Sequence, residues 1–214
     1  MDKNKIEKRS LPIKEFRISD ADNGGVVLEG HAAVFDLWSE TLGGSFPFKE
    51  KVRRGAFIES IKTDDIRALL NHDANYVLGR NSSGTLALTE DDTGLSVVIN
   101  MPQTQWAKDL TVSVKRGDIT QMSFGFTVIQ DEWHEENGSD VRELIRVRLY
   151  DVSLVTFPAY TQTDAAIRGM ESFYEYRSII EQRDKIEKEQ AETQRRKQAE
   201  THKMELLKTK FKNI

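Results

Sequence analysis

Apolar and polar residues alternate along the chain in short runs separated by turn residues, at 26–35, 65–70, 85–89, 95–101, 121–129 and 144–155. A period of two puts alternate side chains on opposite faces, so these runs predict the strands of an antiparallel sheet or barrel. Two stretches read as helices instead. One is 56–62, after Gly55, and the other is 103–116, where Trp106, Leu110 and Val114 fall at i, i+4 and i+8 and Gly117 stands at the end. Asn137-Gly138 lies between two strand-like segments and predicts a two-residue hairpin turn. No internal repeat is present.

The pattern changes near residue 170. The last proline is Pro158 and the last glycine Gly169, and residues 171–214 hold 9 acidic and 11 basic side chains, against 26 and 20 in 1–170. Between 181 and 203 the only apolar residues are Ile186, Ala191 and Ala199, set among Glu, Gln, Lys and Arg, which favour helix but bury nothing. The chain therefore divides into a folded body, 1–170, and a charged tail, 171–214, helical or disordered. The far end of the tail, with Met204, Leu206, Leu207 and Phe211, is suited to docking on a partner.

Composition narrows the chemistry. In 214 residues, 38% of them hydrophobic, there is material for one real core with an appendage. A formal net charge of −4 gives no overall attraction for nucleic-acid phosphates. The absence of cysteine excludes disulfides, thiolate metal sites and a thiol nucleophile, so covalent chemistry falls to Ser, Thr, Lys or a carboxylate. No run approaches the roughly 20 apolar residues of a membrane span, and no apolar stretch follows the charged residues 1–10. A cytosolic protein without a membrane partner is expected. No phosphate-binding glycine loop, metal-ligand spacing or basic stripe stands out, so neither cofactor, metal nor nucleic acid is expected.

A serine becomes a nucleophile only beside a positioned base, which directs attention to the four histidines. His202 lies in the charged tail. His134 is beside the Asn137-Gly138 turn with Glu135 and Glu136, and His31 sits in an apolar strand, where a structural role is the simpler reading. His72 closes the apolar run 66–70 within Asn71-His72-Asp73-Ala74-Asn75, polar residues typical of a strand end from which a side chain reaches solvent. Ser123 stands in Gln121-Met122-Ser123-Phe124-Gly125-Phe126. Alternation puts Met122, Phe124 and Phe126 on the core face and Ser123, Gly125 and Thr127 on the other. The missing side chain at Gly125 leaves room beside the hydroxyl, either for close approach of a substrate backbone or as a simple bulge. Asp151 lies in a strongly apolar strand and needs a partner, for which a histidine, Arg146 and Arg148 all qualify.

Taken in order, His72 in an Asn-His-Asp strand end, Ser123 in Met-Ser-Phe-Gly-Phe, and Asp151 before Val152-Ser153-Leu154-Val155-Thr156-Phe157-Pro158-Ala159 resemble the prohead proteases of tailed bacteriophages. These are similar in fold and active-site order to the herpesvirus assemblins. The resemblance covers roughly 10–168, including Gly30-His31-Ala32-Ala33-Val34-Phe35 and Arg54-Gly55-Ala56-Phe57. It implies a mainly β, α+β fold: a small closed antiparallel barrel of the assemblin type with flanking helices. It also implies a serine endopeptidase with Ser123 as nucleophile, His72 as general base and Asp151 as the acidic third member. The segment 158–163 is the expected source of an oxyanion donor.

The resemblance further implies action inside the assembling prohead, in the host cytoplasm. The substrates would be the scaffolding portion of the major capsid protein and the protease itself, with self-association and a removable, packaging tail. Two other readings remain open: a capsid scaffold or assembly protein without catalysis, and a metal-dependent hydrolase using His31, His72 and His134.

Overall fold

The longest feature of the fold is a hairpin whose two strands run 16 and 17 residues and meet at Asn137-Gly138, both in the left-handed conformation that a tight two-residue turn demands. The computed structural model describes residues 6–11, 17–20, 25–43, 46–157 and 170–211, with the side chains of 11, 170–172 and 199–211 outside the description. In chain order the elements are β1 (Glu7–Leu11), β2 (Arg17–Asp20), β3 (Val26–Val34), β4 (Phe48–Val52), α1 (Ile58–Thr63), β5 (Arg67–Leu70) and β6 (Asp73–Arg80). They continue with β7 (Leu86–Glu90), β8 (Gly94–Met101), α2 (Gln105–Arg116), β9 (Gln121–Glu136), β10 (Ser139–Val155) and α3 (Met170–Phe211). The chain divides into two units, Met1–Met170 and Glu171–Ile214.

The first unit holds two sheets. The six-stranded sheet runs β1-β9-β10-β5-β6, with β4 also on β10, and the four-stranded sheet runs β2-β3-β8-β7. The apolar face of β9, with Met122, Phe124 and Phe126, is fully buried together with Leu28, Leu95, Val97 and Ile99 of the other sheet. Phe57, just before α1, packs edge-on against Phe124 with ring centres 5.4 Å apart. The second unit carries α3, whose residues 181–198 are all exposed, as expected of a helix without an apolar stripe.

Two expectations about the sheet are corrected. No sheet closes into a barrel: among the described residues β1 and β6 end one sheet and β2 and β7 the other, and a barrel requires a partner on both sides of every strand. The pairing is also mixed, because β4 and β5 both lie parallel to β10. They occupy the same edge of that long strand in tandem, at Asp140–Leu144 and Asp151–Leu154. Around α1 the chain fills the interval between them, with Val147 N–H donating to Ala56 O (3.1 Å) and Leu149 N–H to Ser60 Oγ (2.7 Å). The backbone groups that no strand reaches are thereby satisfied.

A buried ionic cluster fastens β1 to the sheet. Arg9 donates to Glu50 (2.7 Å) and Glu7 (2.6 Å), and Arg142 donates to Glu50 (3.0 Å) and Asp131 (2.7 Å). Burial by itself would push the Glu7 carboxyl up, but Arg142 and Arg9 beside it hold it below the ordinary value. Burial would likewise discharge Arg142, yet Glu7, Glu50 and Asp131 keep its guanidinium more firmly charged than in water. Replacing Arg142 by Ala leaves the buried Glu7 and Glu50 with Arg9 as their one shared guanidinium and removes the arginine partner of Asp131. Denaturant titration of the Arg142→Ala variant is expected to show a loss of about 3–5 kcal/mol. Because the Glu7 carboxyl is depressed in the folded state, its contribution is complete above the ordinary carboxyl value of 4.5 and drains away as pH falls through the lower folded value. The same titration repeated from pH 7 downward should show this.

Candidate active site

His72 is held by a turn that the local sequence only partly announces. Leu70 pairs with Asp73, so Asn71 and His72 are the two central residues of a tight hairpin, with φ of 54° and 58°. Both lie in the left-handed region, which suits asparagine and strains histidine. Asn71 fixes the turn to the end of β10: its N–H donates to Leu154 O (2.8 Å), its Oδ1 accepts from Thr156 N–H (2.9 Å) and its Nδ2 donates to Thr156 Oγ1 (3.2 Å). So anchored, the imidazole reaches back over the sheet, and its side chain is 6% exposed rather than open to solvent as the strand-end reading expected.

Asp151 owes its direction to an irregularity in the β9–β10 pairing. Leu149 pairs with Phe126 and Asp151 with Gly125, so β10 spends two residues where β9 spends one, and Tyr150 is the extra residue of a bulge. Without it Asp151, two residues after Leu149, would share Leu149's core face. With it Asp151 and Ser153 take the face of Gly125 and Ser123, while Val152 and Leu154 take the core face.

The three side chains meet there. His72 Nε2 lies 2.8 Å from Ser123 Oγ, and His72 Nδ1 lies 2.6 Å from Asp151 Oδ1. The roles of the two ring nitrogens follow from chemistry: a carboxylate oxygen accepts, so Nδ1 carries the proton and Nε2 is free to accept from the serine. Arg148 faces Asp64 and Arg146 faces Glu59 and Gln130, so neither is the partner of Asp151.

Two readings of this region change. Ser123 is fully buried (0% exposed), flanked in the sheet by Ser10 of β1 and Ser153 of β10, and because residues 122–127 are all buried, β9 is enclosed on both faces here. The space at Gly125 belongs to Asp151: a Cβ on Gly125 would fall on the Asp151 carboxylate and touch Ile6, so the glycine makes room for the acid and not for a substrate backbone. Ser153, which the sequence reading quoted only as part of a motif, donates to Asp151 Oδ1 (2.6 Å). Its signal was its place two residues after Asp151, on the same face.

The other histidines stand apart. His31 pairs with Asp91 (2.8 Å), His134 lies near Glu143 (3.8 Å) and Glu136 (3.9 Å), and the His202 side chain is outside the described residues. Among the described residues no cluster of three or more potential ligands is placed to hold a metal, and the set His31, His72 and His134 is not brought together. The 158–163 segment also lies outside the described residues.

The model of one protein family, described as caudovirus prohead serine protease, matches residues 14–176. The chain belongs to this family. Among solved structures it is similar to the capsid assembly protease of bacteriophage T4, gp21, with a TM-score of 0.50 and 10% identity over 70% of this chain and 96% of that one, a likeness of fold. No curated protein matches the sequence.

In this chain the Gly125→Ala substitution is expected to displace the Asp151 carboxylate and cost about 1–3 kcal/mol through overpacking. Thermal unfolding measures the cost. A crystal structure of the variant should show the His72–Asp151 bond lengthened, while an unmoved carboxylate would show that the methyl group is accommodated elsewhere.

Proposed function

We propose that this chain is the serine endopeptidase of phage head maturation, acting within the assembling prohead in the host cytoplasm on the scaffolding portion of the major capsid protein and on itself. The observation that carries this is the unbroken hydrogen-bonded chain Ser123 Oγ–His72 Nε2, His72 Nδ1–Asp151 Oδ1. In the reaction His72 Nε2 takes the Ser123 proton as Oγ attacks the scissile carbonyl carbon. The imidazolium then returns that proton to the departing amine, and water, deprotonated by the same nitrogen, releases the acyl group. Asp151 accepts from Nδ1–H throughout, which holds the tautomer and favours the transient imidazolium. An oxyanion donor from 158–163 completes the proposal.

Self-association within the prohead is proposed as the setting in which a peptide is brought to Ser123. Residues 1–170 form the catalytic part. The tail, 171–214, exposed along 181–198 and rich in both charges, is proposed as the packaging segment removed afterwards. No helix among the described residues is long and apolar enough to cross a membrane, and neither membrane nor nucleic acid is proposed as a partner.

Incubation of the purified full chain with unprocessed capsid protein, followed by mass spectrometry of fragments, tests the proposal. Wild type is expected to trim capsid protein and itself. Ser123→Ala and His72→Ala should be slower by about 10²–10⁴-fold or inactive. Fragments that appear equally with Ser123→Ala would favour a scaffold without catalysis, and loss of activity with a chelator but not with Ser123→Ala would favour a metal hydrolase.

A further inference from the structure

Ser153 is fully buried and directly opposite Ser123 across the β9–β10 pairing. Its hydroxyl donates to Asp151 Oδ1 at 2.6 Å, the same oxygen that faces His72 Nδ1 at 2.6 Å, and its Oγ is 3.3 Å from that nitrogen. A hydroxyl has one proton and two lone pairs, so a single orientation serves both neighbours: the proton goes to the carboxylate and a lone pair faces Nδ1–H. Among the described residues, both side-chain donors to Asp151 converge on Oδ1, whereas Oδ2 lies above Gly125, which brings no side chain. The terminal torsion of an aspartate is broad, so the backbone alone does not fix the plane of the carboxylate. The bond from Ser153 to the oxygen that faces His72 holds that plane.

We propose that Ser153 is a positioning residue for the catalytic group, locking the Asp151 carboxylate so that Oδ1 holds the His72 Nδ1 proton and Nε2 stays free for Ser123. This rests on the catalytic reading above, and Ser153 acts through Asp151 without touching substrate. Its removal leaves the carboxylate free to rotate and the His72 tautomer less firmly set, while the core face of β10 is untouched.

The test uses the full chain as wild type, Ser153→Ala, Ser153→Thr, Ser123→Ala and His72→Ala, each checked for folding by its amide NMR spectrum. One arm follows covalent labelling of Ser123 by an alkyl fluorophosphonate, separating the maximal labelling rate from probe binding. The other follows the downfield proton resonance that a short Nδ1–H···O bond produces, assigned by its loss in His72→Ala.

Ser153→Ala is expected to label about 10–100-fold more slowly with probe binding unchanged, the effect of losing one hydrogen bond to a charged group. Its downfield resonance should shift or broaden away, and Ser153→Thr, which keeps the hydroxyl, should restore both. If Ser153→Thr does not fold, Ser153→Ala decides alone. Wild-type labelling and an unchanged resonance in Ser153→Ala would overturn this role and leave the catalytic reading standing. A wild type that is not labelled but shows the resonance leaves the NMR arm to decide. One that shows neither labelling at Ser123 nor a resonance from His72 would overturn the catalytic reading and this proposal with it.

Discussion

One extra residue in β10 controls which side of the six-stranded sheet carries polar chemistry. A strand alternates strictly, so Leu149 and a residue two further on belong to the same face unless the register slips. The bulge at Tyr150 supplies the slip, and from there Asp151 and Ser153 share the face of Ser123 while Val152 and Leu154 continue the core. On the opposite edge of β10 the segment around α1 fills the interval between β4 and β5, through Ala56 O and Ser60 Oγ.

The remaining pieces follow from having put a carboxylate inside a sheet. Asp151 needs space, which Gly125 provides, and it needs donors, which His72 and Ser153 provide. His72 can donate only because a turn with two left-handed residues folds it back, a conformation that costs energy and is sustained by the hydrogen bonds of Asn71 to Leu154 and Thr156. The polar group and its strained support stabilise each other. A buried network of this kind is favourable only when every member is satisfied, and no fully buried side-chain polar atom is left without a partner among the described residues.

The edge of β9 beside Ser123 is secured with comparable care. β1 pairs along Met122–Phe126 and is tied down by a cluster in which two arginines share three carboxylates. An edge strand of five residues has little intrinsic stability, and buried charge is costly to uncouple, so the cluster makes the position of β1 specific rather than merely favourable. The strand that carries Ser123 is thereby flanked by β1 and β10 along its edges.

Much was legible from one dimension. The runs at 26–35, 85–89, 95–101 and 121–129 became β3, β7, β8 and the first part of β9, and the stretch ending at Gly117 became α2, because their apolar periods match the element each one forms. The charged stretch 181–198 is exposed helix because it has no apolar stripe to bury. His72 could be named as a candidate for its polar strand end, Ser123 and Asp151 for their places in apolar strands, and the three together because their order resembles the prohead proteases. β1, β2, β4 and β6 were missed, since their residues alternate weakly and owe their strand form to a neighbour. Closure, parallel pairing, the shielding of Ser123 and the use of Gly125 were decided by tertiary structure alone. Periodicity fixes which way a side chain points relative to its own strand, whereas register, bulges and edge partners depend on contacts between residues as far apart as 72 and 151.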